Sequence, residues 1–110
     1  MCYRKNKCGD LGKARKFQKY FMALHCPTRW KIIRIIGEGE ESSGEIIAGL
    51  KEAGEELARS SVYYHLSQLE KAGIIELAKY REVGGGAPEK VWRLKAREIK
   101  INLLTDLEET

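Results

Sequence analysis

The chain has 110 residues, of which 43% are hydrophobic and 33% charged, with a formal net charge of +4. That length supports one domain with a modest core, and the balance excludes a disordered chain. No run of about 18 apolar residues marks a membrane span, and the opening MCYRKNKCGD is basic with no apolar stretch behind it, so it is not read as a secretory signal.

In chain order, residues 1–9 read as a flexible basic tail. Asp10 is placed to cap a helix over 10–24, in which Leu11, Ala14, Phe17, Phe21 and Leu24 draw one apolar stripe. Pro27 suits the first turn of a second helix, which carries Trp30, Ile32, Ile33, Ile35 and Ile36 and stops at Gly37. Four isoleucines in five positions predict a mostly buried helix, and EGEES after it reads as a solvated turn. Ser42 and Glu45 have capping-box spacing, so a third helix starts there, with Ile46, Ile47, Leu50 and Ala53 inward and Gly54 at its end.

A fourth helix over 59–72 carries Val62, Leu66 and Leu69 on its inner face. Ser60, Tyr64, Ser67 and Lys71 fall opposite that stripe, with Ser61, Tyr63 and Gln68 on its flanks. Ile74 to Glu82 and Val91 to Leu94 read as two strands of a hairpin whose long tip holds GGGAP at 84–88. Ala96, Ile99, Leu103 and Leu107 then repeat at helical spacing and predict a last helix over 96–108. The expected fold is mainly α with a small β-hairpin wing: one domain over 10–110 whose core spans 25–94, flanked by the N- and C-terminal helices.

Charge is strongly partitioned. Positions 1–36 hold ten Lys/Arg and one acid, Asp10, whereas 37–110 hold ten Lys/Arg and fifteen acids. Seven of those acids lie between Glu38 and Glu56, where Lys51 is the only base. Such separation suits a polyanionic partner met by some faces and not others. Three helices followed by a hairpin suit double-stranded DNA, with the helix at 59–72 small and polar enough outside to enter a major groove. Hydroxyls and Lys71 can donate to phosphates or base edges, and Arg59 stands at the helix start, where backbone N–H groups also favour phosphate. The hairpin cations Lys79, Arg81, Lys90 and Arg93 are placed for phosphates beside the minor groove. The basic residues Arg4, Lys5, Lys7, Lys13 and Lys16 serve either flanking phosphates or solvent.

Three blocks in order carry a family resemblance: LHCPTRWKIIRII at 24–36, ARSSVYYHLSQLEKAGIIE at 58–76, and VWRL at 91–94. Together they resemble the ArsR-type winged helix-turn-helix regulators. The resemblance implies a homodimer that binds an operator, with recognition-helix contacts at Arg59, Ser60, Ser61, Tyr63 and Tyr64. It also implies that the outer helices pair two subunits, which assigns Phe17, Phe21, Ile99, Leu103 and Leu107 to a dimer interface. Two departures stand out. KEAGEEL at 51–57 is longer than the family's usual connection and brings acids near the expected DNA face, and Ala58 or Arg59 occupies the usual capping position.

Metal sensing is not expected. No cysteine lies between 27 and 110, and Cys2, Cys8 and Cys26 do not have CxxC spacing, so Cys26 reads as a small buried residue. Three cysteines, two of them near the N-terminal tip, fit a reducing cytoplasm better than a disulfide framework. His25 and His65 form no catalytic constellation with a nucleophile or carboxylate pair, and the triple glycine is not a strand-to-helix nucleotide turn. No enzymatic activity, cofactor or membrane contact is expected, and no small-molecule or metal effector is evident. Two other readings fit the same features. One is an architectural protein that coats DNA through the basic N-terminal region; the other is a winged-helix protein-interaction module favoured by the acidic segment 38–56.

Overall fold

The computed structural model describes residues 15–82 and 84–104. The tail at 1–9, the Asp10 cap, the stripe positions Leu11 and Ala14, the cysteines Cys2 and Cys8, the basic Arg4, Lys5, Lys7 and Lys13, and Leu107 lie outside the described residues. So do the side chains of Lys16 and Phe17.

The first helix, α1, is Arg15–Leu24, and α2 follows at Pro27–Ile36. Cys26 between them is extended, with φ −154° and ψ 115°, and Pro27 opens α2 with its pre-set backbone. Gly37 closes it at φ 54°, donating its N–H to the Ile33 carbonyl at 2.9 Å. A short strand, β1, covers Glu40–Ser42. The expected solvated turn is therefore partly a strand, because the edge of the hairpin offers it a ladder to join.

Helix α3 is Ser43–Glu52 and α4 is Arg59–Lys71. The capping box is complete: the Glu45 N–H donates to Ser42 Oγ at 3.1 Å, and the Ser42 N–H donates to Glu45 Oε1 at 2.8 Å. A second carboxylate, Glu89, accepts from the Gly44 N–H at 2.6 Å. Gly44 leaves room for it, since a Cβ there would lie 2.5 Å from Glu89 Oε2. Beyond α4, β2 runs over Ile75–Arg81 and β3 over Glu89–Leu94. The sheet is antiparallel in the order β1-β3-β2. Ser42 pairs with Val91, Leu77 with Trp92, and the register slips between Leu77 and Lys79. That bulge breaks the simple alternation expected for the strand.

One core joins all these elements, with Ile32, Ile36, Ile46, Leu50, Val62, Leu66, Leu69, Ile74, Ile75 and Trp92 buried together. The Trp92 indole N–H is satisfied by Ser43 Oγ at 3.1 Å. Trp30 of α2 stands exposed, with its indole N–H donating to the Leu24 carbonyl at 2.8 Å. Three helices, a hairpin and a third strand along it make this a winged helix-turn-helix, preceded by one extra helix.

The expected C-terminal helix is corrected: residues 95–104 contain no helix. The Lys95 and Ala96 N–H groups both donate to the Ile74 carbonyl, at 2.8 and 3.2 Å, which carries the chain on in extended form past β3. Asn102 Oδ1 then accepts from the Leu104 N–H at 2.9 Å, a local turn that competes with helix.

Ser42 holds both the first turn of α3 and the end of β1. Ser42→Ala is expected to cost about 1 kcal/mol, as for other lost caps. It should appear as a lower urea midpoint with an unchanged m value.

Candidate nucleic-acid interface

Helix α4 has two faces. Val62, Leu66 and Leu69 lie in the core, while Arg59, Ser60, Tyr63, Tyr64 and Lys71 are exposed, Tyr64 to 57%. Ser61 and Ser67 are half-buried on its flanks. Ala58 precedes the helix in extended conformation, and no side chain caps it. Arg59 reaches one turn along to donate from Nη1 to Tyr63 Oη at 2.9 Å, with its guanidinium 6.0 Å from that ring's centre. The pair holds a cation at the start of the helix.

Residues sequence reasoning passed over stand behind this face. Arg29 of α2 is buried, donating from Nε to His65 Nδ1 at 3.0 Å and from Nη1 to the Ala23 carbonyl at 3.1 Å. Its guanidinium lies 5.7 Å from the centre of the Tyr64 ring. Only its burial distinguishes Arg29 from any other polar position in α2, and burial is not written in the sequence pattern.

The acids of the connection between α3 and α4 do not all face outward. Glu55 turns back to α2, accepting from Thr28 Oγ1 at 2.5 Å and Lys31 Nζ at 2.8 Å. These two donors hold its carboxyl below the usual glutamate value of 4.5. The backbone N–H of Ser42 and then Arg81 do the same for Glu45.

The wing cations have partners of their own. Lys79 lies 3.4 Å from Glu40, and Arg81 lies 3.2 Å from Glu45. Arg93 is 2.7 Å from Glu76 and 3.9 Å from Glu40. Lys90 instead sits over the Trp92 ring, 5.8 Å from its centre. Between wing and α4 runs a groove of about 420 Å³ lined by Tyr63, Ser67, Glu70, Lys90 and Trp92 among others. Tyr63 and Ser67 of α4 and Lys90 of the wing thus border one groove, while Tyr64 lies instead against Arg29 and His65.

Helices α1 and α2 and the segment after β3 form a half-open apolar cavity of about 460 Å³. Phe21, Leu24, Trp30, Ile33, Ile99 and Ile101 line it. Phe21 is 62% exposed and Leu103 67%, with Leu104 exposed beside it. Ile101 and Leu104 were missed because a helical stripe selects Ile99 and Leu103, whereas the extended chain brings out other positions. Cys26 is buried, and among the described residues no group of three or more His, Cys, Asp or Glu side chains is placed to hold a metal ion. Among the same residues no helix is long and apolar enough to cross a membrane.

The hairpin beside an outward-facing second helix defines a winged helix-turn-helix protein. Residues 23–78 match the family model of the helix-turn-helix domain, and the chain belongs to that family. No curated protein matches the sequence significantly. Among solved structures the chain is similar to reduced HlyU from Vibrio cholerae, at 21% identity and TM-score 0.58 over 78% of this chain and 79% of that one. It is similar to NolR from Sinorhizobium fredii at 16% identity and TM-score 0.57, over 86% and 84% of the two chains. Both are likenesses of fold. Against the Vibrio cholerae ferric uptake regulator it shows 26% identity and TM-score 0.49 over 67% of its length, spanning 55% of that longer chain.

Both Glu45 and Glu55 are held below 4.5, so the unfolded chain takes up their protons first. The stability they contribute is present above 4.5 and is lost as pH falls through their folded values. Urea unfolding between about pH 3 and pH 6 should show this loss, and Glu55→Gln should make the slope shallower.

Proposed function

We propose that the protein is a sequence-specific, DNA-binding transcription regulator of the ArsR type, acting as a homodimer in the cytoplasm and not as an enzyme. The observation that carries this reading is the outward face of α4, where Arg59, Ser60, Tyr63, Tyr64 and Lys71 stand exposed while the opposite face is locked in the core. In this reading residues 59–72 lie in the major groove. Ser60 and Ser61 are small enough to let the helix backbone approach the base edges, and the Tyr64 ring meets the bases or the sugar edge. Arg59, held by Tyr63, meets phosphate at the helix start together with the uncapped N–H groups. The wing, residues 79–93, rests on the backbone. There Lys79, Arg81 and Arg93 exchange carboxylates for phosphates, and Lys90 adds its charge without losing an ion pair to a described carboxylate.

The test is fluorescence anisotropy with a labelled duplex from upstream of the protein's own coding sequence, against random duplex, across about 50–200 mM salt. A preference of roughly a thousandfold is expected, the usual range for specific binders. Tyr64→Ala should reduce that preference by about tenfold or more, while Lys90→Ala should weaken both duplexes alike and lower the salt slope by about one. Equal, salt-steep binding to both duplexes supports the architectural reading instead. No binding at low salt overturns DNA recognition and points to a protein partner.

The exposed apolar face of α1 and the segment after β3 is the proposed dimer surface, with Phe21, Ile99 and Leu103 among its described residues; Phe17 and Leu107 are proposed for the same interface from the sequence alone. Sedimentation velocity should then give twice the chain mass, and Phe21→Glu should shift the protein to monomer while weakening operator binding. A wild-type chain that sediments as a monomer at micromolar concentration rejects the dimer.

A further inference from the structure

We infer that Arg29 is a positioning residue for DNA recognition, fixing how α4 presents Tyr64 from behind through His65 and the tyrosine ring. The inference rests on the DNA-binding reading above. Arg29 is 6% exposed, and its partners among the described residues are a carbonyl, an imidazole and an aromatic face. None is a carboxylate. A buried guanidinium without a carboxylate partner costs stability unless its N–H groups are satisfied, as two of them are here by the Ala23 carbonyl and His65. Packing alone gives no reason for arginine at this position.

What arginine supplies is a rigid set of donors. Its Nε–H needs a lone pair on His65 Nδ1, so the imidazole is neutral and carries its proton on Nε2. Nη1 is anchored on the Ala23 carbonyl near the end of α1. The planar group thus spans α1 and α4 from α2, and it places positive charge against the exposed Tyr64 ring.

The arrangement has a pH signature. His65 is faced by Arg29 from α2 and by Glu55 from the turn before α4, with Glu55 itself held by Thr28 and Lys31 and with Tyr64 adjacent. Burial and then the Arg29 charge push the imidazole below its usual 6.5, and Glu55 acts in the opposite sense. A proton on Nδ1 would set donor against donor and cation against cation. The tie therefore holds above 6.5 and is lost as pH falls through the folded value.

The experiment uses the full chain and the same two duplexes, with wild type, Arg29→Met and His65→Asn, whose Oδ1 takes the place of Nδ1. Arg29→Met should lose about tenfold in affinity for the preferred duplex, the scale of coupling from a residue that touches neither ligand. Its salt slope should stay at the wild-type value, because no phosphate contact is removed, and its melting temperature should fall modestly, because the Ala23 carbonyl and His65 Nδ1 lose their donor. Wild-type affinity should fall as the pH is taken below 6.5 more steeply than that of His65→Asn.

Wild-type affinity in Arg29→Met, or a salt slope lower by about one, overturns the inference; the second result would make Arg29 a direct phosphate contact. Coincident pH profiles for wild type and His65→Asn also overturn it, and this comparison decides alone where Arg29→Met does not fold. A wild-type chain that binds neither duplex removes the DNA-binding reading itself, whereas a wild type that binds no better than Arg29→Met removes the positioning role alone.

Discussion

Four consecutive residues, 42–45, tie the helix-turn-helix to its wing, and the rest of the structure hangs on that junction. Ser42 closes the β1 ladder opposite Val91 and caps α3 through Glu45. Ser43 Oγ accepts the Trp92 indole, the Gly44 N–H donates to Glu89, and Glu45 spends its second oxygen on Arg81. Each residue binds the helix on one side and the hairpin on the other. A two-stranded hairpin is marginal alone. Here its inner strand gains a third strand, a buried tryptophan and a carboxylate set at a helix N-terminus, where the dipole favours it. The wing therefore stands in a fixed place beside α4, which a shared binding surface requires.

The same junction explains the acidic segment. Seven acids between Glu38 and Glu56 look out of place in a protein that approaches DNA. Four of them answer cations elsewhere in the fold: Glu38 pairs with Arg97, Glu40 with Lys79 and Arg93, Glu45 with Arg81, and Glu55 with Lys31. Exposed pairs of this kind add little stability each. Their effect is on charge: three wing cations are partly neutralised by neighbouring carboxylates. In the proposed DNA-binding reading, such a wing holds weakly to any polyanion and leaves discrimination to the α4 face. That distribution favours a specific binder over one that coats DNA indiscriminately.

Much of this was legible in the chain itself, for identifiable reasons. Pro27 and Gly37, Ser42 with Glu45, and Gly73 punctuate helices whose apolar stripes are regular, so α2, α3 and α4 are found with nearly correct ends. The outward face of α4 follows from the stripe opposite it. The strand β1 was not legible, because Glu-Glu-Ser has no strand period and becomes a strand only where the edge of β3 receives it. The segment after β3 was misread because helical spacing says which side would be buried, not that any surface is there to bury it. Short polar partnerships were hidden by distance along the chain. Arg81 and Glu45 are 36 residues apart, as are Arg29 and His65, and neither pair leaves a local pattern.

Helix α2 is the element that meets both working faces of the molecule. Ile32 and Ile36 bury it in the core, Trp30 and Ile33 line the apolar cavity beside α1, and Arg29, buried on the same stripe as Ile32 and Ile36, reaches His65 and Tyr64. Adjacent positions on one helix thus look toward the proposed partner subunit and toward the proposed DNA. Arg29 also holds α1 through Ala23, close to Leu24 and Phe21 on the cavity wall. Whatever shifts the end of α1 shifts the carbonyl that anchors one side of the guanidinium, and the other side of that rigid plane holds the recognition helix. In the proposed reading, the dimer surface and the Tyr64 ring thus meet at one buried cation.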